Sequence, residues 1–390
     1  MQTLQIIFWI LLGIVFYTYL GYGIVLFLMI RIKRIFTKKK LVVLTNNELP
    51  DVTLLIAAYN EQDYVKAKVE NTLQLNYPAE KLHQIWVTDG SNDETPERLK
   101  AYSMIEVLHR PERSGKIAAM NRGIKFVKTP IVIFSDANTL LGKDSIMRIA
   151  QMFADPKVGC VSGEKRIFNA NEEAASAAGE GIYWKYESTL KRWDAELYSA
   201  VGAAGELFAI RTELFNEVEP DTLLDDFIIS LRVAMKGYKI DYDPEAYAIE
   251  TASANVKEEL KRKIRIAAGG IQSVIRLYPL LNIFKYGILS FQYISHRVLR
   301  WTVTPVSLLL ILLINVILAP YSNLYLILLG LQLLFYVSAL LGWFLENRKM
   351  KVKLLFVPYY FFIMNYAVFM GFGRYIKKSQ SVNWERAKRG

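Results

Sequence analysis

Apolar residues fall along this chain in two rhythms. In three long blocks, Ile6 to Ile30, Thr302 to Leu345 and Leu354 to Gly373, they run almost uninterrupted by charge. A bilayer core takes about 20 apolar residues per helix. The first block therefore predicts one span, the second two with a break near Pro320, and the third one. Pro358 and Asn365 leave a re-entrant or interfacial path open for the third. Between about Pro50 and Ala254 short β-branched and aromatic runs alternate with amphipathic stretches. They predict strands at Val52 to Ala58, Gln84 to Thr88, Ile105 to Leu108, Ile131 to Ser135 and Val158 to Gly163. Helices are predicted near Glu61 to Leu75, Pro96 to Ala101, Gly115 to Val127 and Ser145 to Phe153. Such alternation implies βαβ units and a mostly parallel sheet. No internal repeat or low-complexity linker interrupts it.

Composition adds a compartment. The 390 residues are 53% hydrophobic with a formal net charge of +11, a balance that suits a folded domain joined to membrane helices. Met1 to Gln5 carry no basic side chain, whereas Arg31, Lys33, Arg34, Lys38, Lys39 and Lys40 follow the first block. By the positive-inside rule the central region is cytoplasmic. The first block lacks the short apolar core and cleavage site of a signal peptide and is expected to stay as an anchor. Lys377, Lys378, Arg386, Lys388 and Arg389 argue for a cytoplasmic C-terminus, against the count of three spans after the domain. The basic excess lies beside membrane segments, where anionic headgroups attract it, and calls for no nucleic acid. A single cysteine, Cys160, excludes an internal disulfide and suits the cytoplasm.

Candidate chemistry sits at the strand ends. In IVIFSDANTL a run suited to a strand buried on both faces ends abruptly in Asp136 and Asn138, and ligands of open α/β sheets gather at such carboxyl ends. Tyr59, Asn60 and Glu61, and then Asp89, Gly90, Ser91 and Asp93, occupy the same place after two other strands. Converging carboxylates repel unless a cation or a donor-rich ligand lies between them. Mg²⁺ or Mn²⁺ with a substrate diphosphate meets that need. His83, His109 and His296 are scattered, which disfavours zinc. Arg110, Arg113 and Lys116 offer positive charge for phosphates, Lys116 at a helix start where backbone amides also favour anions.

Together AAYNE (57–61), TDGSNDET (88–95), RSGKIAAMNRG (113–123), SDANT (135–139), GAAGELFAIR (202–211) and LLDDFIISLRV (223–233) resemble an inverting family 2 glycosyltransferase of the GT-A fold, similar to bacterial polysaccharide synthases, over roughly residues 50 to 300. The resemblance implies that Tyr59, Glu61 and Asp89 hold the nucleoside, Lys116 the diphosphate, and Asp136 the metal and sugar diphosphate. Asn138 stands where the family usually has a second aspartate. Asp226 matches the family's catalytic base, and Asp225 beside it is expected to raise its pKa by like-charge repulsion. A plain alternative has Asp225 capping a helix that begins at Phe227. GAAGELF suits either close approach of an acceptor sugar or a tight turn into a buried strand. Polymer-making relatives carry Gln-x-x-Arg-Trp near residues 262–266. Here Arg265 keeps the arginine, expected near the phosphates, while Gln and Trp are absent. His296, Arg297, Arg300 and Trp301 read as headgroup-facing anchors before the second apolar block, while the resemblance implies a place at the cytoplasmic surface under the catalytic domain.

The expected organisation is an anchor with basic flank (1–40), a cytoplasmic α/β GT-A domain (41–256), a basic interfacial segment (257–301), C-terminal membrane helices (302–375) and a basic tail (376–390). The expected activity is transfer of a sugar, with inversion, from a nucleotide-sugar, expected to be a UDP-sugar, to a glycan or polysaccharide at the cytoplasmic face of the cell membrane. Transfer to a polyprenyl-phosphate carrier is the nearest rival, and a non-catalytic nucleotide-binding or scaffold membrane protein the remote one.

Overall fold

A computed structural model describes residues 1–37, 44–168, 175–251, 256–348, 350 and 352–380. Lys38, Lys39, Lys40, Arg386, Lys388 and Arg389 lie outside them. Among the described residues eight strands form one sheet: β1 (Val52–Ala58), β2 (Leu82–Asp89), β3 (Ile105–Arg110), β4 (Ile131–Asp136), β5 (Leu140–Leu141), β6 (Val158–Phe168), β7 (Leu207–Arg211) and β8 (Lys239–Thr251), in the order β3-β2-β1-β4-β7-β6-β8-β5. β1 pairs in parallel with β2 and β4, and β2 with β3, through the crossovers the sequence predicts. β7 runs antiparallel to both β4 and β6. It lies in GAAGELFAIR, where a tight turn into a buried strand is one of the two readings of the sequence. β6 runs past its predicted end at Gly163 to Phe168, and its outer part pairs with β8 beyond a register shift.

All seven residues of β1 are buried, as expected of a strand covered on both faces. Its side chains alternate between two cores: Leu55 and Ala57 pack with Val132, Phe134 and Phe208 on one side, Leu54 and Ile56 with Trp86, Ile133 and Ala209 on the other. After the N-terminal helix α1 (Gln2–Phe36), helices α2 (Gln62–Leu73), α3 (Thr95–Lys100), α4 (Lys116–Gly123), α5 (Ser145–Met152), α6 (Ala175–Leu197) and α7 (Asp225–Met235) fill the connections, and α8 (Val256–Arg276) follows the sheet.

Among the described residues four helices are long and apolar enough to cross a membrane: Gln2–Phe36, Val303–Tyr321, Asn323–Asn347 and Leu354–Ile376. The last corrects the re-entrant alternative in one respect, because the third apolar block is a single continuous helix. Pro358 falls near its start, and the Asn365 side chain donates to Phe361 O at 2.8 Å and accepts from Tyr19 Oη at 3.1 Å.

The second half of the N-terminal helix does not stand free. Tyr22, Leu26 and Ile30 bury against Leu190 and Leu197 of α6. Lys33 Nζ donates to the carbonyls of Glu196 and Leu197 at 2.6 and 2.8 Å, caps that suit a helix C-terminus. Beneath them Asp194 accepts from Tyr22 Oη and from Gln292 Nε2 at 3.0 Å and shares a 2.6 Å hydrogen bond with His296 Nδ1. Two turns earlier on α6, Glu187 pairs with Arg300, and with Arg297 at 3.6 Å. His296, Arg297 and Arg300 therefore do not face a headgroup layer as their spacing predicts; Glu187 and Asp194 supply buried counterions that draw them inward.

Candidate functional site

Tyr59, Asp89, Arg113, Gly115 and Lys116 line one open crevice at the carboxyl ends of β1 and β2. Asp89 Oδ2 accepts the backbone amides of Ser114 and Gly115 at 2.8 and 2.6 Å, which fixes the loop entering α4. Its Oδ1 is buried without a hydrogen bond and faces Arg122 Nη1 at 4.0 Å. Gly90 is obligatory beside it: φ is +72°, and a Cβ would meet the backbone of Arg113 at 2.8 Å. The Arg113 guanidinium stacks on the Tyr59 ring, 3.7 Å from its centroid.

Lys116, the first residue of α4, joins this crevice to the acidic groups. Its Nζ donates to Asp136 Oδ1 at 2.8 Å and lies 3.7 Å from Asp225 Oδ2. The cation that converging carboxylates call for is thus partly supplied by the protein itself. Asp225 and Asp226 are the first two residues of α7, and Asp225 makes no side-chain cap. The helix therefore starts two residues earlier than the capping alternative requires, and both acids sit in its first turn, where the helix dipole favours them. Burial, then the Asp225 charge, raise the Asp226 carboxyl to about 7 against the pull of Lys116, with Glu206 adding to the rise. The expected effect of Asp225 is present, second to desolvation. Burial also raises Asp136, with Lys116 opposing. Burial works against the Lys116 ammonium, yet Asp136 and Asp225 hold it well above the usual lysine range.

GAAGELF forms the tight turn into the buried strand β7 and brings a glycine against Asp226. Gly202 has φ +89° and packs on Phe227, while a Cβ on Gly205 would lie 3.2 Å from Asp226 Oδ2. Gly205→Ala is therefore expected to crowd the Asp226 carboxylate, lowering turnover about 10-fold with little change in melting temperature. Steady-state rates beside a thermal melt check it.

Three residues named with the crevice serve the turns instead. Asn60 (φ +53°) bonds Asn92 through its side chain, Ser91 Oγ accepts the Asn60 amide at 3.1 Å, and Asp93 accepts from Thr95 and from the Gln62 amide. They tie the two βα turns to each other. Glu61 precedes α2, its amide donating to Thr95 Oγ1 at 2.9 Å and its side chain buried. Arg265 is half-buried on α8. Among the described ion pairs, α8 reaches the site through Arg262, 3.9 Å from Glu250.

An acidic and basic wall behind Asp226 is absent from the sequence reading. Lys165 of β6 bridges Glu206 and Glu250. Burial acts to raise the Glu206 carboxyl, but the Lys165 charge and hydrogen bond hold it well below the usual range. Lys191 of α6 donates to Ser162 Oγ at 2.8 Å, and the same oxygen accepts the Ala204 amide at 3.0 Å. Glu206 could have been found, since a charge directly before the apolar run LFAI is unusual. Lys165 and Lys191 left no such sign.

The donor set fits a hard divalent cation. Asn138 Oδ1 is buried with no hydrogen bond, on the turn that also carries Asp136. Among the described residues no three His, Cys, Asp or Glu side chains could hold a metal by themselves. An ion on Asp136 and Asn138 would draw its remaining oxygens from substrate phosphates, the usual habit of Mg²⁺.

Residues 53–219 match the family described as glycosyl transferase family 2. A poly-beta-1,6-N-acetyl-D-glucosamine synthase from Staphylococcus aureus (strain MSSA476) is 30% identical over 241 residues, 59% of this chain and 57% of that protein, so the match spans a little over half of its length. The synthase of the same name from Staphylococcus epidermidis (strain ATCC 35984) is 24% identical over 386 residues, 91% of each chain. Among solved structures, a mannosyltransferase from Pyrobaculum calidifontis in complex with GDP-Man and Mn²⁺ superposes with a TM-score of 0.72 at 22% identity, covering 97% of this chain and 100% of that one. That likeness establishes the GT-A architecture.

Proposed function

Residues 53–219 form a glycosyl transferase family 2 domain, and from this premise we propose that the chain transfers a sugar from a nucleotide-diphosphate sugar to a glycan acceptor, with inversion at the anomeric carbon. The observation that carries the reading is the meeting of Lys116, Asp136, Asp225 and Asp226, from three separate elements, beside the crevice lined by Tyr59 and Asp89. Tyr59 and Asp89 flank the base and ribose, with the unpaired Asp89 Oδ1 ready to accept from the nucleoside. Lys116 is placed to share its charge between Asp136 and the diphosphate. Asp226 takes the proton of the acceptor hydroxyl as that oxygen bonds to the anomeric carbon, and the bond from that carbon to the diphosphate oxygen breaks on the opposite side. The nucleoside diphosphate leaves with the electron pair. A divalent ion held by Asp136 and Asn138 would add Lewis-acid stabilisation of the departing diphosphate.

Names of the two staphylococcal relatives favour a polysaccharide as acceptor. Four candidate spans, with Arg31, Lys33 and Arg34 closing the first, favour a membrane protein whose catalytic domain faces the cytoplasm. Because Asp226 must be ionised to act, the rate is expected to rise with pH through about 7. A pH profile of kcat checks this, and a rate independent of pH from 5 to 9 would count against Asp226.

The deciding experiment is a panel of UDP- and GDP-sugars given to the full-length protein in detergent with Mg²⁺ or Mn²⁺ and oligosaccharide acceptors, reading nucleoside diphosphate release. Release lost in Asp226→Asn supports the reading; no release from any donor sinks it. Extraction of labelled product into organic solvent would instead identify a lipid-phosphate acceptor.

A further inference from the structure

Lys68, in the middle of α2, is completely buried, an expensive place for an ammonium. No carboxylate pairs with it among the described ion pairs. Instead its Nζ donates to Ser135 Oγ and to Thr139 O, both at 2.8 Å, and lies 3.4 Å from Thr139 Oγ1. Those two residues bracket Asp136 and Asn138. Thr139 Oγ1 donates back to Asp136 O at 3.0 Å, closing the turn, and Ser135 Oγ reaches Glu206 O at 3.1 Å on the loop facing Asp226. One amine thus binds both ends of the turn that carries the two candidate metal oxygens, and through Ser135 it touches the acceptor side. An apolar side chain would fill the same space without that desolvation cost. An amine in this place points to work beyond packing, and burial pulls its pKa down from the usual lysine range.

We propose that Lys68 is a positioning residue that holds the Asp136 and Asn138 oxygens in the geometry a divalent cation needs. This rests on the reading that those two residues hold the ion. Groups that orient metal ligands from behind typically change metal affinity by about 10- to 100-fold when removed.

The test measures Mn²⁺ bound by detergent-purified full-length protein, by equilibrium dialysis and electron paramagnetic resonance at fixed UDP or GDP, with nucleotide-only blanks. Lys68→Met is expected to bind Mn²⁺ at least about 10-fold more weakly than wild type while still melting cooperatively. Ser135→Ala, which removes one of the shared bonds and leaves a small gap, is expected to weaken Mn²⁺ in the same direction by less. It decides the matter should Lys68→Met fail to fold. Wild-type Mn²⁺ affinity in a folded Lys68→Met, or in Ser135→Ala when that variant alone folds, overturns the inference and leaves the transferase reading standing. Absence of Mn²⁺ binding by the wild type with either nucleotide overturns the metal reading itself, and the role of Lys68 with it.

Discussion

Asp226→Asn is expected to lower kcat about 10³-fold, within the range a positioned general base contributes, while nucleotide binding stays near wild type. Asparagine keeps the shape and loses the proton acceptor. The same change is expected to make the protein more stable near neutral pH. A carboxyl raised to about 7 in the fold, from about 4 in the unfolded chain, binds its proton more tightly when folded. Stability then falls as pH rises through the window from about 4 to about 7, and the cost is fully present above it. In the variant that cost is gone, so its melting temperature exceeds wild type at pH 8 and the gap closes below about pH 4. Paired melts across that range, beside single-turnover rates, measure both effects. A variant less stable than wild type at pH 8 would contradict the assigned strain at Asp225 and Asp226.

The second large effect belongs to Lys116→Met. Its Nζ is the cation nearest both Asp136 and Asp225, and the side chain is only 21% exposed. Removing it leaves two partly buried carboxylates facing each other, and breaking such a pair costs about 3 to 5 kcal/mol where burial is complete. Here about 3 kcal/mol is expected, read as a lower denaturation midpoint. Loss of charge at the diphosphate adds a fall in kcat/KM of about 10²- to 10³-fold. The two losses separate by pH, since protonating Asp136 relieves the repulsion without restoring the phosphate contact. Because Asp225 and Asp226 share the Lys116 field, the double variant with Asp226→Asn is expected to be less destabilised than the sum of the two.

Much of this arrangement was legible along the chain. The run IVIF, fully buried with Asp136 at the carboxyl end of its strand, was legible as a central strand, since an unbroken apolar run suits burial on both faces. The place of Lys116 was legible because a glycine before it signals a helix start. What escaped notice depends on contacts distant in sequence. Lys68 sits in KAKVE, indistinguishable by pattern from a solvated helix face, and only the packing of α2 on the turn after β4 reveals it. Glu206 and Glu250 meet Lys165 because β6 runs beyond its apolar portion to pair with β8. His296 and Arg300 were misplaced for the same reason: their counterions lie about a hundred residues away on α6.

That buried junction bears on how the protein can be cut. Tyr22, Leu26 and Ile30 of the anchor complete an apolar trough on α6, and the Tyr22 hydroxyl donates to the Asp194 carboxylate. A fragment trimmed to begin at the sheet would uncover Leu190 and Leu197 and take the Tyr22 hydroxyl from the Asp194 carboxylate. Excising the catalytic half as a soluble reagent therefore opens a sticky wound, and nanodiscs holding the intact polypeptide are the sounder preparation.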